Sequence, residues 1–466
     1  MLFSGVSFLY GFLPIVLLLY YALPKKYRNL LLFIASLFFY FWGEPLYSLL
    51  MLASIISGYV HGLLIEKYRG TKGAKIALVS SLVLSIGALA VFKYADFFVS
   101  SFNSVFGLSV PLLRLALPLG ISFYTFQILS YDIDVYRGTK AQRSFVAFGA
   151  YISMFPQLVA GPIVRYSDIE HQLDVREYSM SRFALGVRRF IIGLSKKVIL
   201  ANTLAELTAA VTALEQPDAL ACWLNAIGFT LQIYFDFSGY SDMARGMGSM
   251  LGFEFPQNFN YPYLSASVSE FWRRWHMTLG TWFRDYVYFP LGGSRVKSKW
   301  RLAFNLAVVW ALTGLWHGAS WSFVVWGVYF GLFIIAEKLL LGKSIEKVTK
   351  WVRVPLTLII VVVGFVIFNA PTLTDAGQQL AGMIGINTPA SSAQSVFELC
   401  DYGFVILLAA VCATPLPGML LERVRRNQTV NKAVDILEFP VLIILLVICT
   451  AYLVDGSFNP FLYFRF

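Results

Sequence analysis

Residues 302–336 read LAFNLAVVWALTGLWHGASWSFVVWGVYFGLFIIA and contain no Asp, Glu, Lys or Arg. A helix needs about 20 apolar residues to cross the hydrocarbon of a bilayer. The stretch therefore predicts one membrane-crossing helix over 302–319 and most of a second over 321–341. Its single histidine, His317, lies between two glycines, in the run Gly314-Leu-Trp316-His-Gly318.

The composition of the whole chain agrees with a membrane location. Of its 466 residues, 58% are hydrophobic and only 14% are charged, whereas about 25% are charged in a soluble domain. Aromatic residues make up 17% of the chain, with 41 Phe, which suits surfaces that face lipid. These values exclude an ordinary soluble protein.

Ten further apolar stretches predict additional crossings. The N-terminal stretch has no Lys or Arg before Lys25, so it lacks the charged start of a signal peptide and is interpreted as a retained span. The stretch 30–43 is short, and 112–132 contains Pro118 and Gly120, which predict a kink or break. The twelve predicted spans are 2–23, 30–43, 46–65, 76–96, 112–132, 144–164, 218–240, 302–319, 321–341, 354–370, 401–420 and 437–455.

The basic residues predict the orientation. The net charge of +11 is spread over short runs between apolar stretches, so it does not indicate nucleic-acid binding. No Lys or Arg occurs between Arg353 and Arg423. Because cytoplasmic loops are enriched in Lys and Arg, we expect a multi-pass protein of the cell (inner) membrane with the loop near 371–400 and both termini outside. The runs are Lys25–Arg28, Lys67–Lys75, Arg137–Arg143, Arg295–Arg301, Lys343–Arg353 and Arg423–Lys432.

Residues 178–200 have a different pattern. Arg182, Arg189 and Lys196 recur every seven residues, with Arg188 and Lys197 beside them and apolar residues between. This spacing predicts an amphipathic helix that lies at the cytoplasmic interface.

The segment 232–242 contains polar residues within an apolar span. Gln232, Asp236 and Tyr240 are four apart and share one face of a helix, while Asp242 lies on a neighbouring face. A carboxylate is costly inside a membrane unless it is paired or lines a wet cavity. Asp236 and Asp242 therefore either line a substrate path or pair with an arginine for structural reasons.

The segment 270–276 reads EFWRRWH. As a helix it would place Trp272 and His276 on one face and an ion pair of Glu270 with Arg274 on the next. Arg273 and Arg274 are suited to hold the phosphates of an acyl carrier. The alternative is that Trp and Arg only anchor the segment at the membrane surface.

His317 is the strongest candidate for chemistry. An imidazole removed from water stays neutral at pH 7, and the neutral ring can take a proton from a hydroxyl. The flanking glycines either leave room for substrate or allow close helix packing, and the histidine could equally be a hydrogen-bonded structural group. The four histidines and four cysteines show no metal-ligand spacing, so neither a metal nor a cofactor is expected.

Several of these segments resemble the membrane-bound O-acyltransferase family, and within it the alginate O-acetyltransferase branch that modifies exported polysaccharides. Strong and weaker motifs occur in the family's order along most of the chain. The strong ones are Gln232–Ala244, Phe255–Tyr263, Glu270–His276, Trp282–Gly293 and Thr313–Trp326; the weaker ones are Phe123–Gly138, Pro156–Arg165 and Phe461–Phe466.

The resemblance implies an all-α fold: a ring of tilted transmembrane helices, with re-entrant or interfacial helices, around a central acyl-transfer tunnel. One domain would span 1–466. His317 matches the family's essential histidine and His276 its second conserved one. A thioester donor, acetyl-CoA or an acyl carrier, would approach from the cytoplasm, and a polysaccharide hydroxyl or an exported hydrolase-like partner from outside. The candidate tunnel residues are Gln232, Asp236, Tyr240, Asp242, Asn258, Trp272, Arg273, Arg274 and Trp316.

Two other functions fit parts of the same pattern. A sister branch of the family transfers D-alanine from a carrier protein toward teichoic acid. A transporter or channel for an acidic or lipid-linked substrate could use Asp236 and His317 as gating groups, although the inverted repeats of many transporters are missing.

Overall fold

The computed structural model describes residues 3–158 and 161–455, in which no β-strand occurs. The all-α, polytopic fold class is thus confirmed. The chain forms two compact units, the first of Met1–Phe190 with Met243–Pro256 and the second of Ile191–Asp242 with Gln257–Phe466. A single domain over 1–466 stays a prediction. The motif Phe461–Phe466, and residues 159–160 of the motif Pro156–Arg165, lie outside the described residues.

The first unit is built from helices joined by short turns. A π-helical turn, Phe8–Phe12, leads into the first helix, and a 3-10 turn, Lys25–Tyr27, separates the first two. Its helices are α1 (Leu13–Ala22), α2 (Arg28–Gly43), α3 (Tyr47–Lys67), α4 (Lys72–Phe106), α5 (Ile121–Arg137), α6 (Phe145–Ser153), α7 (Phe155–Leu158), α8 (Tyr166–Asp174) and most of α9 (Met180–Ser195).

The second unit contains the remaining helices, apart from the last residues of α11. They are α10 (Asn202–Thr212), α11 (Ala219–Met250), α12 (Val268–Arg274), α13 (Met277–Phe283), α14 (Lys299–His317), α15 (Trp321–Ala336), α16 (Lys350–Asn369), α17 (Leu373–Met383), α18 (Ala393–Cys412), α19 (Leu416–Arg425) and α20 (Gln428–Val454). Short 3-10 or π-helical segments are Lys196–Ala201, Pro262–Leu264, Arg284–Tyr288, Glu337–Leu341 and Gly342–Lys347.

Six helices in the described ranges are long and apolar enough to cross a membrane: α3, α4, α15 with its π-helical extension to Leu341, α16, α18 and α20. In α20 only 6% of the most apolar window is buried within the protein. Exposed apolar side chains on it, such as Phe439 and Val447, therefore suit contact with lipid. Six of the twelve predicted spans coincide wholly or partly with these helices.

In three predicted spans the helix starts late or is interrupted. The span 112–132 is helical only from Ile121, because Gly120 adopts a left-handed conformation and a Cβ there would lie 2.6 Å from the carbonyl oxygen of Leu158. The span 144–164 is divided into α6 and α7, and the described residues 161–165 that follow are not helical. The span 401–420 is interrupted before Pro415, where α18 ends at Cys412 and α19 starts at Leu416.

The predicted amphipathic helix is present as α9, but its basic face ends earlier than the sevenfold spacing suggested. After Ser195 the chain makes a π-helical turn, Lys196–Ala201. A π-helical turn adds a residue per turn, so the side chains that follow are rotated away from the earlier face. Lys197 is 2% exposed, and assigning it to the solvated basic face was therefore wrong.

Candidate active site

His317 is the last residue of α14, and its side chain is buried among aromatic rings. The ring centroids of Trp316, Trp326 and Phe368 lie 5.0, 4.9 and 5.3 Å from that of His317, all nearly perpendicular to it. Trp326 belongs to α15 and Phe368 to α16, so three helices of the second unit surround the imidazole. These aromatic walls leave little room for bulk water beside the ring.

Glycines bring α14 and α15 close together beside His317. A Cβ on Gly327 would lie 2.5 Å from the carbonyl oxygen of Trp310, and a Cβ on Gly314 would collide with the carbonyl oxygen of Phe323. A Cβ on Gly318 would collide with the ring of Phe323. Of the two interpretations of the glycines, close helix packing is the one that these contacts support.

His276 lies between two short helices and not within one. Helix α12 ends at Arg274, Trp275 is extended, and His276 has a left-handed backbone (φ 42°) before α13 begins at Met277. The prediction that Trp272 and His276 share a helical face is therefore wrong. At this break two hydrogen bonds join the backbone to the segment around Asn258: the N–H of Met277 donates to the carbonyl oxygen of Asn258, and the N–H of Asn260 donates to that of Arg274, both at 2.9 Å.

The Asn258 side chain fixes the orientation of the His276 ring. Its Oδ1 lies 3.1 Å from Nδ1 of His276 and also accepts from the N–H and hydroxyl of Thr278, at 3.2 and 2.9 Å. A backbone N–H can only donate, so this amide atom is the oxygen, and Nδ1 of His276 must be the donor. In the neutral ring the proton is then on Nδ1, and the lone pair is on Nε2.

Trp316 connects the two histidines. Its ring centroid lies 5.7 Å from that of His276 and 5.0 Å from that of His317. On its other side His276 packs against Phe237 of α11, with centroids 4.7 Å apart. The structure thus brings both candidate catalytic residues into one buried aromatic region, and Trp316 is the residue they share.

Trp272 supports this region from α12. Its indole packs edge-on against Trp310, Trp326 and Phe330, at centroid distances of 4.8, 5.4 and 5.0 Å. Trp326 also packs against the imidazole of His317, so Trp272 supports a ring that contacts His317 directly.

The polar face of α11 is formed as predicted, and its residues Gln232, Asp236 and Tyr240 are all buried. Asp236 makes an ion pair with Lys197, with Oδ1 and Nζ 2.8 Å apart and side chains 4% and 2% exposed. Gln232 accepts a hydrogen bond from the Thr208 hydroxyl at 3.1 Å.

Asp242, on the neighbouring face of α11, pairs with Lys196 at 2.7 Å. Both aspartates of this segment therefore have a cationic partner, as the structural interpretation requires. The partners are the lysines of the π-helical turn and not arginines.

The two arginines of α12 have different surroundings. Arg274 makes the predicted ion pair with Glu270, Nη2 to Oε1 2.6 Å, whereas Arg273 is exposed. The first turn of the same helix is capped by Glu337, which accepts from the N–H groups of Val268 and Ser269 at 2.6 and 2.8 Å. Binding of donor phosphates by Arg273 and Arg274 stays a prediction.

Sequence reasoning missed four residues that shape this site. Trp326 is the last residue of the motif Thr313–Trp326, and Thr278 follows the motif Glu270–His276 by two residues, so the sequence around the two histidines pointed to both. Phe368 and Lys197 lie in segments without any chemical motif, and the sequence held no signal that could have placed them here.

Comparison with known proteins decides the family. The model of the membrane-bound O-acyltransferase family matches residues 112–369, a range that includes both histidines and every other candidate site residue. The chain belongs to this family. It is a membrane-embedded acyltransferase of the alginate O-acetylase type.

Relatives that match over most of their length support this assignment. The chain is 43% identical to a probable alginate O-acetylase of Pseudomonas aeruginosa over 83% of this chain and 76% of the relative. It is 38% identical to a probable alginate O-acetylase of Azotobacter vinelandii over the full length of both. A peptidoglycan O-acetyltransferase of Helicobacter pylori is 32% identical, with 83% of this chain and 80% of the relative covered.

Proposed function

We propose that this acyltransferase takes an acetyl group from acetyl-CoA at the cytoplasmic face of the cell (inner) membrane and passes it outward through a tunnel among its helices. The acceptor is a hydroxyl of an exported polysaccharide, or of an exported hydrolase-like partner that completes delivery to the sugar. The observation that carries the proposal is the pair of buried histidines joined by Trp316, within the part of the chain that matches an O-acyltransferase family.

In the proposed reaction His317 is the general base. Its imidazole removes the proton from the acceptor hydroxyl as the oxygen attacks the thioester carbonyl. The tetrahedral intermediate then collapses, the carbon–sulfur bond breaks, and the imidazolium returns the proton to the departing thiolate. The products are an acetyl ester and coenzyme A, so His317 ends the cycle neutral.

His276 is proposed to orient the acceptor hydroxyl. With Nδ1 donating to Asn258, the neutral ring offers a lone pair at Nε2, which can accept a hydrogen bond from the hydroxyl but cannot stabilise an oxyanion. Orientation of the acceptor hydroxyl, and not stabilisation of an oxyanion, is thus the role that the hydrogen bonding of His276 favours.

The names of the relatives favour acetyl over D-alanyl transfer. The three relatives described above are named for O-acetylation, two on alginate and one on peptidoglycan. Because these acceptors differ, the sugar modified by this chain is left open, and an exported polysaccharide such as alginate is the class proposed.

The test is acetyl transfer by the purified protein in nanodiscs. Radiolabelled acetyl-CoA is supplied with a candidate exported partner or an alginate oligosaccharide as acceptor, and empty nanodiscs serve as the blank. We expect the label to leave acetyl-CoA and appear in acceptor ester. If acetyl-CoA is not consumed while a D-alanyl carrier protein is, the donor assignment is wrong. If the protein reconstituted in sealed proteoliposomes shows solute flux without any ester formation, the transporter alternative is favoured.

A further inference from the structure

A cavity of about 660 Å³ lies in the first unit, and none of its lining residues belongs to the proposed transfer site. It opens where α1 ends, where α2 begins and just before α9. We call it the basic pocket, because its lining includes Lys25, Arg28, Arg176 and Arg182 but a single carboxylate, Glu177. This excess of positive charge raises the question of which anion the pocket accommodates.

Within the part of the chain that the structure describes, three of the four cations have no carboxylate partner. Arg182 makes an ion pair with Glu254, 3.0 Å from Nη2 to Oε2. Among residues 3–158 and 161–455, no carboxylate oxygen lies within 4.0 Å of Lys25, Arg28 or Arg176. Glu177, although it lines the same pocket, is exposed and pairs with none of them.

Arg28 is the most buried of these cations, with 8% of its surface exposed. Its guanidinium carbon lies 4.4 Å from the ring centroid of Tyr178, 5.0 Å from that of Tyr20 and 5.6 Å from that of Tyr21. The hydrogen bond described for it is a long one, from Nε to the carbonyl oxygen of Leu23 at 3.4 Å. Stacking on the rings holds the group in place but leaves its terminal N–H donors for a ligand.

The tyrosines around Arg28 are themselves fixed. Tyr20 donates to the carbonyl oxygen of Leu251 at 2.7 Å, so the hydroxyl of Tyr178, 2.9 Å away, must donate to Tyr20. Tyr21 donates to the carbonyl oxygen of Met250 at 2.6 Å. The walls of the basic pocket are therefore formed before any ligand binds.

Arg176 adds a second fixed guanidinium. It stacks on Phe253, 4.6 Å from guanidinium carbon to ring centroid, and donates from Nη2 to Asn29. Its Nη1 is buried and has no hydrogen-bond partner in the described part of the chain. A buried donor on a charged group is costly unless it is satisfied, and a bound anion would satisfy it.

From these observations we propose that the basic pocket binds a phosphate group. Guanidinium groups match the geometry of phosphate oxygens, and the pocket lies at the turn between two apolar helices, the level at which lipid headgroups are found. The phosphate belongs either to an anionic phospholipid or to the nucleotide part of coenzyme A. In the second case the inference rests on the proposed function.

The experiment measures binding without turnover, so its outcome does not depend on acetyl transfer. One probe is phosphatidylglycerol, counted by native mass spectrometry of the purified protein; the other is coenzyme A, titrated in solution. The variant is Lys25→Gln with Arg176→Gln, in which Arg28 and its ring stack are untouched. The matched control is Lys26→Gln, since Lys26 is exposed, contacts Tyr27 and does not line the pocket.

We expect the double variant to bind at least one probe about tenfold more weakly or worse than wild type, and the control to bind as wild type does. Loss confined to phosphatidylglycerol identifies a lipid site, and loss confined to coenzyme A identifies a donor site. If the double variant keeps its thermal stability and binds both probes as the control does, the phosphate proposal is wrong. If Arg28→Lys lowers stability but leaves binding of both probes unchanged, the Arg28 stack is structural and the proposal is likewise overturned.

Discussion

Replacing Lys197 with methionine should strongly destabilise the second unit. Its ammonium group is 2.8 Å from Asp236, and both side chains are at least 96% buried. Methionine has nearly the same shape but leaves the carboxylate buried without its cation. Removing one partner of a buried ion pair costs about 3–5 kcal/mol, so we expect the free energy of unfolding to fall by about that amount.

Removing both charges should reverse most of this loss. The attraction within a buried pair roughly offsets the cost of taking two charges out of water, so apolar replacement of both is often close to neutral. The double variant Lys197→Met with Asp236→Leu should therefore be more stable than either single variant. Asn202, whose Oδ1 accepts from Lys197 at 2.9 Å, loses one hydrogen bond, which costs about 1 kcal/mol.

The assay is equilibrium unfolding in mixed SDS and detergent micelles, with acetyl transfer measured on the same samples. Lys196→Met is the matched control: Lys196 and Asp242 are 27% and 24% exposed, and a pair this open contributes about 1 kcal/mol or less. If Lys197→Met is as stable as wild type, or if the double variant loses the sum of the two single losses, the reasoning fails.

Turnover of the double variant decides what Asp236 does. If stability and turnover both return, Asp236 serves the structure alone. If stability returns and turnover does not, Asp236 has a further part in transfer.

Two other predictions concern the packing and orientation of the site. Gly314→Ala should lower the free energy of unfolding by about 1–3 kcal/mol, because its Cβ would collide with the carbonyl oxygen of Phe323. The control is Gly87→Ala in α4, where a Cβ meets nothing within 4 Å, and this change should be neutral or slightly stabilising. Equal changes in the free energy of unfolding for the two variants would contradict the packing argument. Asn258→Ala should lower kcat at least tenfold with little change in KM, because His276 loses the acceptor that orients it, while Asn258→Asp keeps an acceptor oxygen and should retain most of kcat. Equal losses in the two variants would show that Asn258 does not act through the imidazole.

The long apolar helices could be predicted from sequence because one property, the length of an uncharged run, decides them. Residues 321–341 show this, since the predicted span and the observed helix with its π-helical extension coincide. Boundaries set by tertiary contacts were harder. The start of α5 depends on the close approach of Gly120 to Leu158, a contact between segments far apart in sequence.

The two lysines of the π-helical turn show a second limit. A periodicity argument assumes 3.6 residues per turn, and Lys197 leaves the predicted face because the helix widens at Lys196. Burial of the side chain then follows from its pairing with Asp236. That Asp236 has a partner could be predicted, because a carboxylate in an apolar span is costly unless it is paired or lines a wet cavity; its part in a substrate path stays a prediction.

His317 and His276 were both identified from local motifs, yet their surroundings were only partly predictable. Trp316 adjoins His317 in sequence, whereas Phe368 reaches the imidazole from α16. For His276 the helical spacing was misleading, since α12 ends at Arg274 and the ring of His276 is bound by Asn258 from another segment of the chain. Local sequence thus indicated the chemical groups, and the packing of separate helices determined how they are oriented.

In the proposed mechanism the buried imidazole of His317 accepts the proton of the acceptor hydroxyl. The most direct test is the rate of acetyl transfer by His317→Ala in nanodiscs, beside wild type and beside His171→Ala, whose side chain is 97% exposed and outside the site. We predict that His317→Ala remains folded and loses about 100- to 10,000-fold in kcat, the usual contribution of a general base, while His171→Ala keeps wild-type turnover. A folded His317→Ala that turns over at a rate near that of wild type would contradict the claim.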